Sequence, residues 1–114
     1  MSDADRSSRA DLRTRPMAMA DLVEYQAGSV VSRRLLKHRS GTMTVFAFDR
    51  GQGLSEHTAP FEAVVHVLEG EAEITLCGSP FRLNGGEMIL IPADVAHAVR
   101  AVERFKMVLT LARD

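Results

Sequence analysis

A chain of 114 residues, 46% apolar and 25% charged, has the composition of one ordinary globular domain with room for a single core. Its 14 Lys and Arg against 15 Asp and Glu give a net charge of −1, which argues against nucleic acid or an anionic membrane as a dedicated partner. The single cysteine, Cys77, excludes an internal disulfide framework, and no apolar run approaches the ~20 residues of a membrane helix, so a cytoplasmic protein is expected.

In chain order, residues 1–16 (MSDADRSSRADLRTRP) hold one Leu among charges of interleaved sign. They are expected as a polar arm, solvated or docked on a partner subunit, ahead of a single domain over 17–114. Residues 17–28 (MAMADLVEYQAG) end in a glycine turn and fit either a helical turn or a first strand, and 30–36 (VVSRRLL) read as a strand. Thr42–Asp49 is a strand in which Thr44, Phe46 and Phe48 alternate with Met43, Val45 and Ala47. Both its faces are apolar, so one should meet a barrel interior and the other a second sheet or subunit.

Gly51 and Gly53 turn the chain. Strands are expected over 63–68, 71–77, 81–83, 87–91, 96–101 and 105–111, separated by Glu69-Gly70, Gly78-Ser79-Pro80, Asn84-Gly85-Gly86 and Pro92. Short strands with turn signals every 8–12 residues or so indicate an antiparallel sandwich or barrel, so the fold class is all-β.

Two stretches carry the chemistry. Gly51–Gly70 (GQGLSEHTAPFEAVVHVLEG) places His57 six positions beyond Gly51, and Gly86–His97 (GEMILIPADVAH) places His97 five positions beyond Pro92. With Gly51, His57 and Gly70 in one register and Gly86, Pro92 and His97 in the other, the pair resembles the first and second motifs of the cupin superfamily over roughly residues 41–111. The chain is also similar to small single-domain bacterial cupins that share SEHTAPF and VLEGEAEIT. The resemblance implies a double-stranded β-helix, a jelly-roll barrel of the RmlC-like kind, with a site at its mouth.

In metal-binding cupins the first motif supplies His-x-His-x3-Glu and the second a histidine. Carried over position by position, the resemblance makes His57 and His97 the retained ligands and sets Ala59 and Ala63 where a second histidine and a glutamate would stand. Asp94 and Ala101 replace the glycine and asparagine usual in the second motif. Two imidazoles fall short of the three or four protein donors of ordinary zinc sites and of the two histidines and carboxylate of non-haem iron. Glu62 and His66 are candidate third ligands, although strand alternation sets both on the face opposite position 63. Glu56 and Cys77 are weaker candidates.

Two readings follow: a loosely held divalent ion (zinc, iron, manganese or nickel) on His57 and His97, or a metal-free polar pocket in which one of them is the acid or base. The pocket is expected to be lined by His57, Ala59, Phe61, Ala63, Val65, Met88, His97, Met43 and Met107. His38 should be solvated and His66 should lie on a face. Arg33 and Arg34 alternate, so an inward one could meet an anionic ligand. The favoured function is binding of a small organic molecule. The alternatives are a metal-dependent oxygenase or isomerase with a non-standard third ligand, and a non-catalytic structural or sensing barrel. A homodimer is expected because strands 42–49 and 62–68 are apolar on both faces.

Overall fold

The computed structural model describes residues 15–113, so most of the expected polar arm lies outside the described residues. A 3-10 turn, Met19–Leu22, precedes the strands β1 (Val30–His38), β2 (Gly41–Phe48), β3 (Gly53–His57), β4 (Glu62–Glu69), β5 (Glu71–Leu76), β6 (Ser79–Asn84), β7 (Met88–Ile91), β8 (His97–Ala101) and β9 (Phe105–Ala112). They form two antiparallel sheets, ordered β1-β2-β9-β4-β7 and β3-β8-β5-β6, which face each other as a jelly roll. No described helix is long and apolar enough to cross a membrane. Strand β3 has no counterpart in the expected elements. Its sequence, GLSEH, offers one apolar side chain, and its strand form comes from pairing with β8 rather than from propensity.

Packing between the sheets is graded from one end to the other. At the end holding the β4–β5 turn, Phe48 stacks on Phe105 with ring centroids 4.6 Å apart and planes 3° from parallel. Both rings are fully buried, with Ala72, Val67 and Ala101 around them in the same core. Moving along the inner faces, Phe46, Leu109, Leu111, Leu76 and His97 are only half-buried. The sandwich is shut at one end and open at the other.

The shut end depends on Gly70, which alone links β4 to β5 at φ +86. A Cβ there would overlap the carbonyl of Arg104 and the Cα and Cβ of Phe105. Gly78, at φ +84 in the β5–β6 turn, faces open space instead. It completes a two-residue hairpin turn with Cys77, whose own φ is 47, a pairing of positive φ values suited to the twist of the flanking strands.

The outer face of the larger sheet is covered at one end by the chain itself. Val23 is buried against Val45, Ala47 and Val108, so the second apolar face of strand 42–49 is met by residues 17–25 and not only by another sheet or subunit. Three polar contacts hold this segment down. Lys106 Nζ donates to the Ala20 carbonyl at 2.6 Å, the Tyr25 hydroxyl donates to the Glu69 carboxylate at 2.8 Å, and Arg33 donates to the Leu22 carbonyl at 3.4 Å. The Arg104 guanidinium and the Lys106 ammonium lie 4.0 and 5.0 Å from the Tyr25 ring centroid. Asp49 accepts the backbone N–H groups of Gly28 and Arg50, and these bonds hold its carboxyl below the usual carboxylate range.

Burial, reinforced by the bond to Glu69, pushes the Tyr25 hydroxyl up to about 12. The protonated form is the one the fold favours, so this contribution to stability is complete below about pH 10, the unfolded value, and is lost as pH rises toward 12. Tyr25→Phe is therefore expected to shrink the drop in denaturation midpoint between pH 9 and pH 11.5. At the shut end, Gly70→Ala should cost roughly 2–4 kcal/mol in denaturant unfolding, whereas Gly78→Ala, strained in φ but unobstructed, should cost about 1 kcal/mol.

Candidate functional site

His57 ends β3 and His97 begins β8, and the two are direct register partners. A bulge makes this possible. Leu54 pairs with Val99 and His57 with His97, so β3 advances three residues while β8 advances two. Regular alternation over three residues would turn His57 to the outer face; because the extra residue is taken up as a bulge, both imidazoles join the inner side with Leu54 and Val99. Their ring centroids are 4.2 Å apart, with the planes 62° from parallel. The loops that carry them are tied together where the Asp94 N–H donates to the Ala59 carbonyl at 2.8 Å. Asp94 reaches that bond at φ 66, a left-handed conformation that aspartate tolerates better than most side chains.

Each imidazole is oriented by its own strand. His57 Nδ1 lies 2.9 Å from the Ser55 carbonyl, and His97 Nδ1 lies 2.9 Å from the Val95 carbonyl. A carbonyl oxygen only accepts, so Nδ1 carries the proton in both rings and each neutral ring keeps its lone pair on Nε2. Backbone orientation of this kind fixes a histidine either as a metal ligand or as a base.

Around the pair the inner faces are partly polar. The register rows Lys37–Thr42–Leu111–Ala63–Ile91 and Arg34–Thr44–Leu109–Val65–Ile89 cross the inner face of the larger sheet at the open end. Ala63, Val65 and Met107 occupy the interior as buried core, with Met107 one row deeper. Ala59 and Phe61 are half-buried in the loop beside His57, and the Arg113 guanidinium lies 5.3 Å from the Phe61 centroid. Two expected pocket residues are misplaced. Met43 lies on the outer face, packed with Val45 and Val108, and Met88 is 53% exposed on the outer face of β7. The neighbour of each in the opposite phase of its strand (Thr44 and Ile89) points inward. Thr42, Thr44 and Lys37 were absent from the expected lining, and of the alternating pair Arg33 and Arg34 it is Arg34 that takes the inner phase. Alternation with Phe46 was the signal for the two threonines; the arginine and lysine also needed the register of β1.

The donor set falls short of a metal site. Ala59 and Ala63 offer no lone pair, and Glu62 and His66 are exposed on the outer face, with His66 paired to Met88 and Val108. Glu56 and Cys77 are exposed, and among the described residues no group of three or more His, Cys, Asp or Glu side chains is placed to hold a metal ion. His57 and His97 therefore supply two nitrogens, one short of the usual minimum. Two recesses elsewhere touch neither histidine. One of about 510 Å³ surrounds Tyr25 and Arg104, and one of about 410 Å³ lies against Ser55, Thr75 and Ala98.

Residues 44–112 match the family model described as a cupin domain. Among solved structures, a conserved protein of unknown function from Streptococcus pyogenes superposes with a TM-score of 0.86 at 32% identity, covering 90% of each chain. A cupin 2 conserved barrel protein from Leptotrichia buccalis gives 0.81 at 41% identity, over 83% of this chain and 46% of that one. Among curated proteins, polyketide synthase CurC of Streptomyces cyaneus is 37% identical over 76 residues, 64% of this chain and 49% of that protein. The chain spans about half the length of the curated relatives it matches. The motif pair, the two facing sheets and these matches agree, and the chain belongs to the cupin family.

Proposed function

We propose that the protein binds a small organic molecule at the open end of the barrel, with His57 and His97 as its polar anchors. The observation that supports this reading is the oriented histidine pair, each ring with its Nε2 lone pair available, set above an apolar inner wall. Small-molecule sites favour this mixture of apolar lining and a few convergent polar groups. A neutral imidazole there can accept a proton from a carbon acid or a hydroxyl, so proton transfer is the reaction class that these residues support without a further group. A relative named as a polyketide synthase makes a polyketide the first ligand class to test. The single cysteine, with no disulfide to form within the chain, suits a cytoplasmic setting.

The functional unit in this reading is a homodimer. Leu36, Met43, Thr110, Val64 and Leu90 form one row across the outer face of all five strands, about 20 Å long at the usual strand spacing. Leu36 and Leu90 are each 50% exposed, and Met88 beside them is 53% exposed. Residues 17–25 cover the other end of this face.

Protein purified without a histidine tag is expected to hold well under one metal ion per chain by elemental analysis, and His57→Ala should shift the melting temperature little. One tightly held ion per chain, lost in that variant, would overturn the two-donor reading. Light scattering should give the mass of two chains, falling to one in Leu90→Glu with the fold retained by circular dichroism. A single-chain mass for the unaltered protein would remove the dimer.

A further inference from the structure

The inner wall at the open end carries cations without carboxylates. Arg34 pairs with Thr44 and Lys37 with Thr42, both on the inner face, while Arg33 and Leu36 take the outer positions opposite Val45 and Met43. The bulge between Arg34 and Leu36 produces this arrangement, because it keeps Lys37 in phase with Arg34 across an odd interval. His57 and His97 line the facing sheet. No Asp or Glu occupies an inner-face position in the rows that define this opening; Glu62 on β4 and Glu71 and Glu73 on β5 all take outer positions. Glu56, on β3 directly before His57, and Asp94, between β7 and β8, are exposed acids nearby.

Three arginines elsewhere on this barrel, Arg50, Arg82 and Arg100, lie beside carboxylates. Arg82 is held by Glu71 at 3.1 Å and by Glu73 at 3.2 Å, and Arg100 lies 3.6 Å from Glu73, all on the outer face of the smaller sheet. Arg50 lies 3.9 Å from Glu103. Arg34 and Lys37 have no such carboxylate among the described residues. Arg34 and Lys37 are exposed on the edge strand β1, one strand away from Thr44 and Thr42, on the side of the sheet turned toward the strands that carry the two imidazoles. This combination presents hydrogen-bond donors and positive charge to one space and repels a bare divalent cation from it.

We infer that the open end selects an organic anion, with Arg34 gripping its carboxylate and the apolar remainder lying over Leu109 and Leu111 toward the histidine pair. The inference rests on the open-end reading above and adds the chemical class of the ligand. Arg34 is suited to the role because a guanidinium can donate two parallel N–H bonds to one carboxylate, and Lys37 adds charge at longer range.

Benzoate and benzamide separate the two claims, since they share a ring and differ in charge. In amide-resolved NMR titrations at pH 7, benzoate is expected to shift Thr42, Thr44, His57 and His97. It should bind about tenfold or more tightly than benzamide, as a charge-assisted pair implies, and weaken as salt is raised. Arg34→Gln should remove that preference while leaving benzamide affinity and melting temperature unchanged, and Arg34→Lys should restore part of it. Equal binding of both probes at the open end would overturn the anion inference and leave the pocket reading standing. Benzoate affinity unchanged in Arg34→Gln would also overturn it. Shifts confined to other surfaces, or no shifts with either probe, would overturn both.

Discussion

The stack of Phe48 on Phe105 is the contact on which the rest of this barrel depends. Two flat rings in parallel fill the space between the sheets where Gly70 brings β4 into β5 at close range, and no larger linker residue would let them meet. That end is filled to full burial, whereas toward the other the inner rows include threonines, leucines and histidines that remain partly exposed. A single aromatic plug thus determines which end of the sandwich holds a solid core and which end is left for a ligand. It also explains why the apolar inner wall and the polar mouth coexist in so short a chain.

The outer surface solves a different problem. Sheets with two apolar faces need two covers, and this chain provides one and a half. The first is the opposing sheet. The second is the segment 17–25, fixed by Lys106 and Tyr25 over Val45, Ala47 and Val108, which stops short of Leu36, Met43, Val64 and Leu90. A lysine that is nearly fully buried keeps its charge satisfied by donating to a backbone carbonyl, and its stem packs as hydrocarbon, so a cation serves here as part of an apolar seam.

Much of this was legible in the residues. Strand and turn spacing indicated an antiparallel sandwich or barrel, the cupin resemblance carried by Gly51, His57, Gly86, Pro92 and His97 implied the jelly roll, and alternation along β4 separated Ala63, Val65 and Val67 from Glu62 and His66. Alternation failed for Met43 and Met88 for a definite reason: it sorts a strand into two faces but does not name the inner one when both are apolar. Composition failed for β3, because LSEH has no strand signature of its own and owes its form to β8. Thr42 and Thr44 share the inner phase of Phe46, but a threonine is as common on a solvated face as in a lining and so carries no inward signal of its own. Arg34 could be placed inward only once the β1–β2 register was known.

The bulge in β3 has a consequence for how this chain can vary. Between Leu54 and His57 the strand holds one residue more than its partner needs, and the face occupied by His57 depends on that surplus being taken up as a bulge. Loss of a single codon there would remove the surplus, leave a regular two-residue interval from Leu54 and keep the imidazole facing into the barrel opposite His97. Loss of two would leave an odd interval with no bulge to absorb it and turn the imidazole out of the barrel while composition and core stay almost untouched. The site thus tolerates a change of one residue in this interval and not a change of two. Descendants of this sequence that are two residues shorter at 54–57 can therefore share its barrel and still lack its histidine pair.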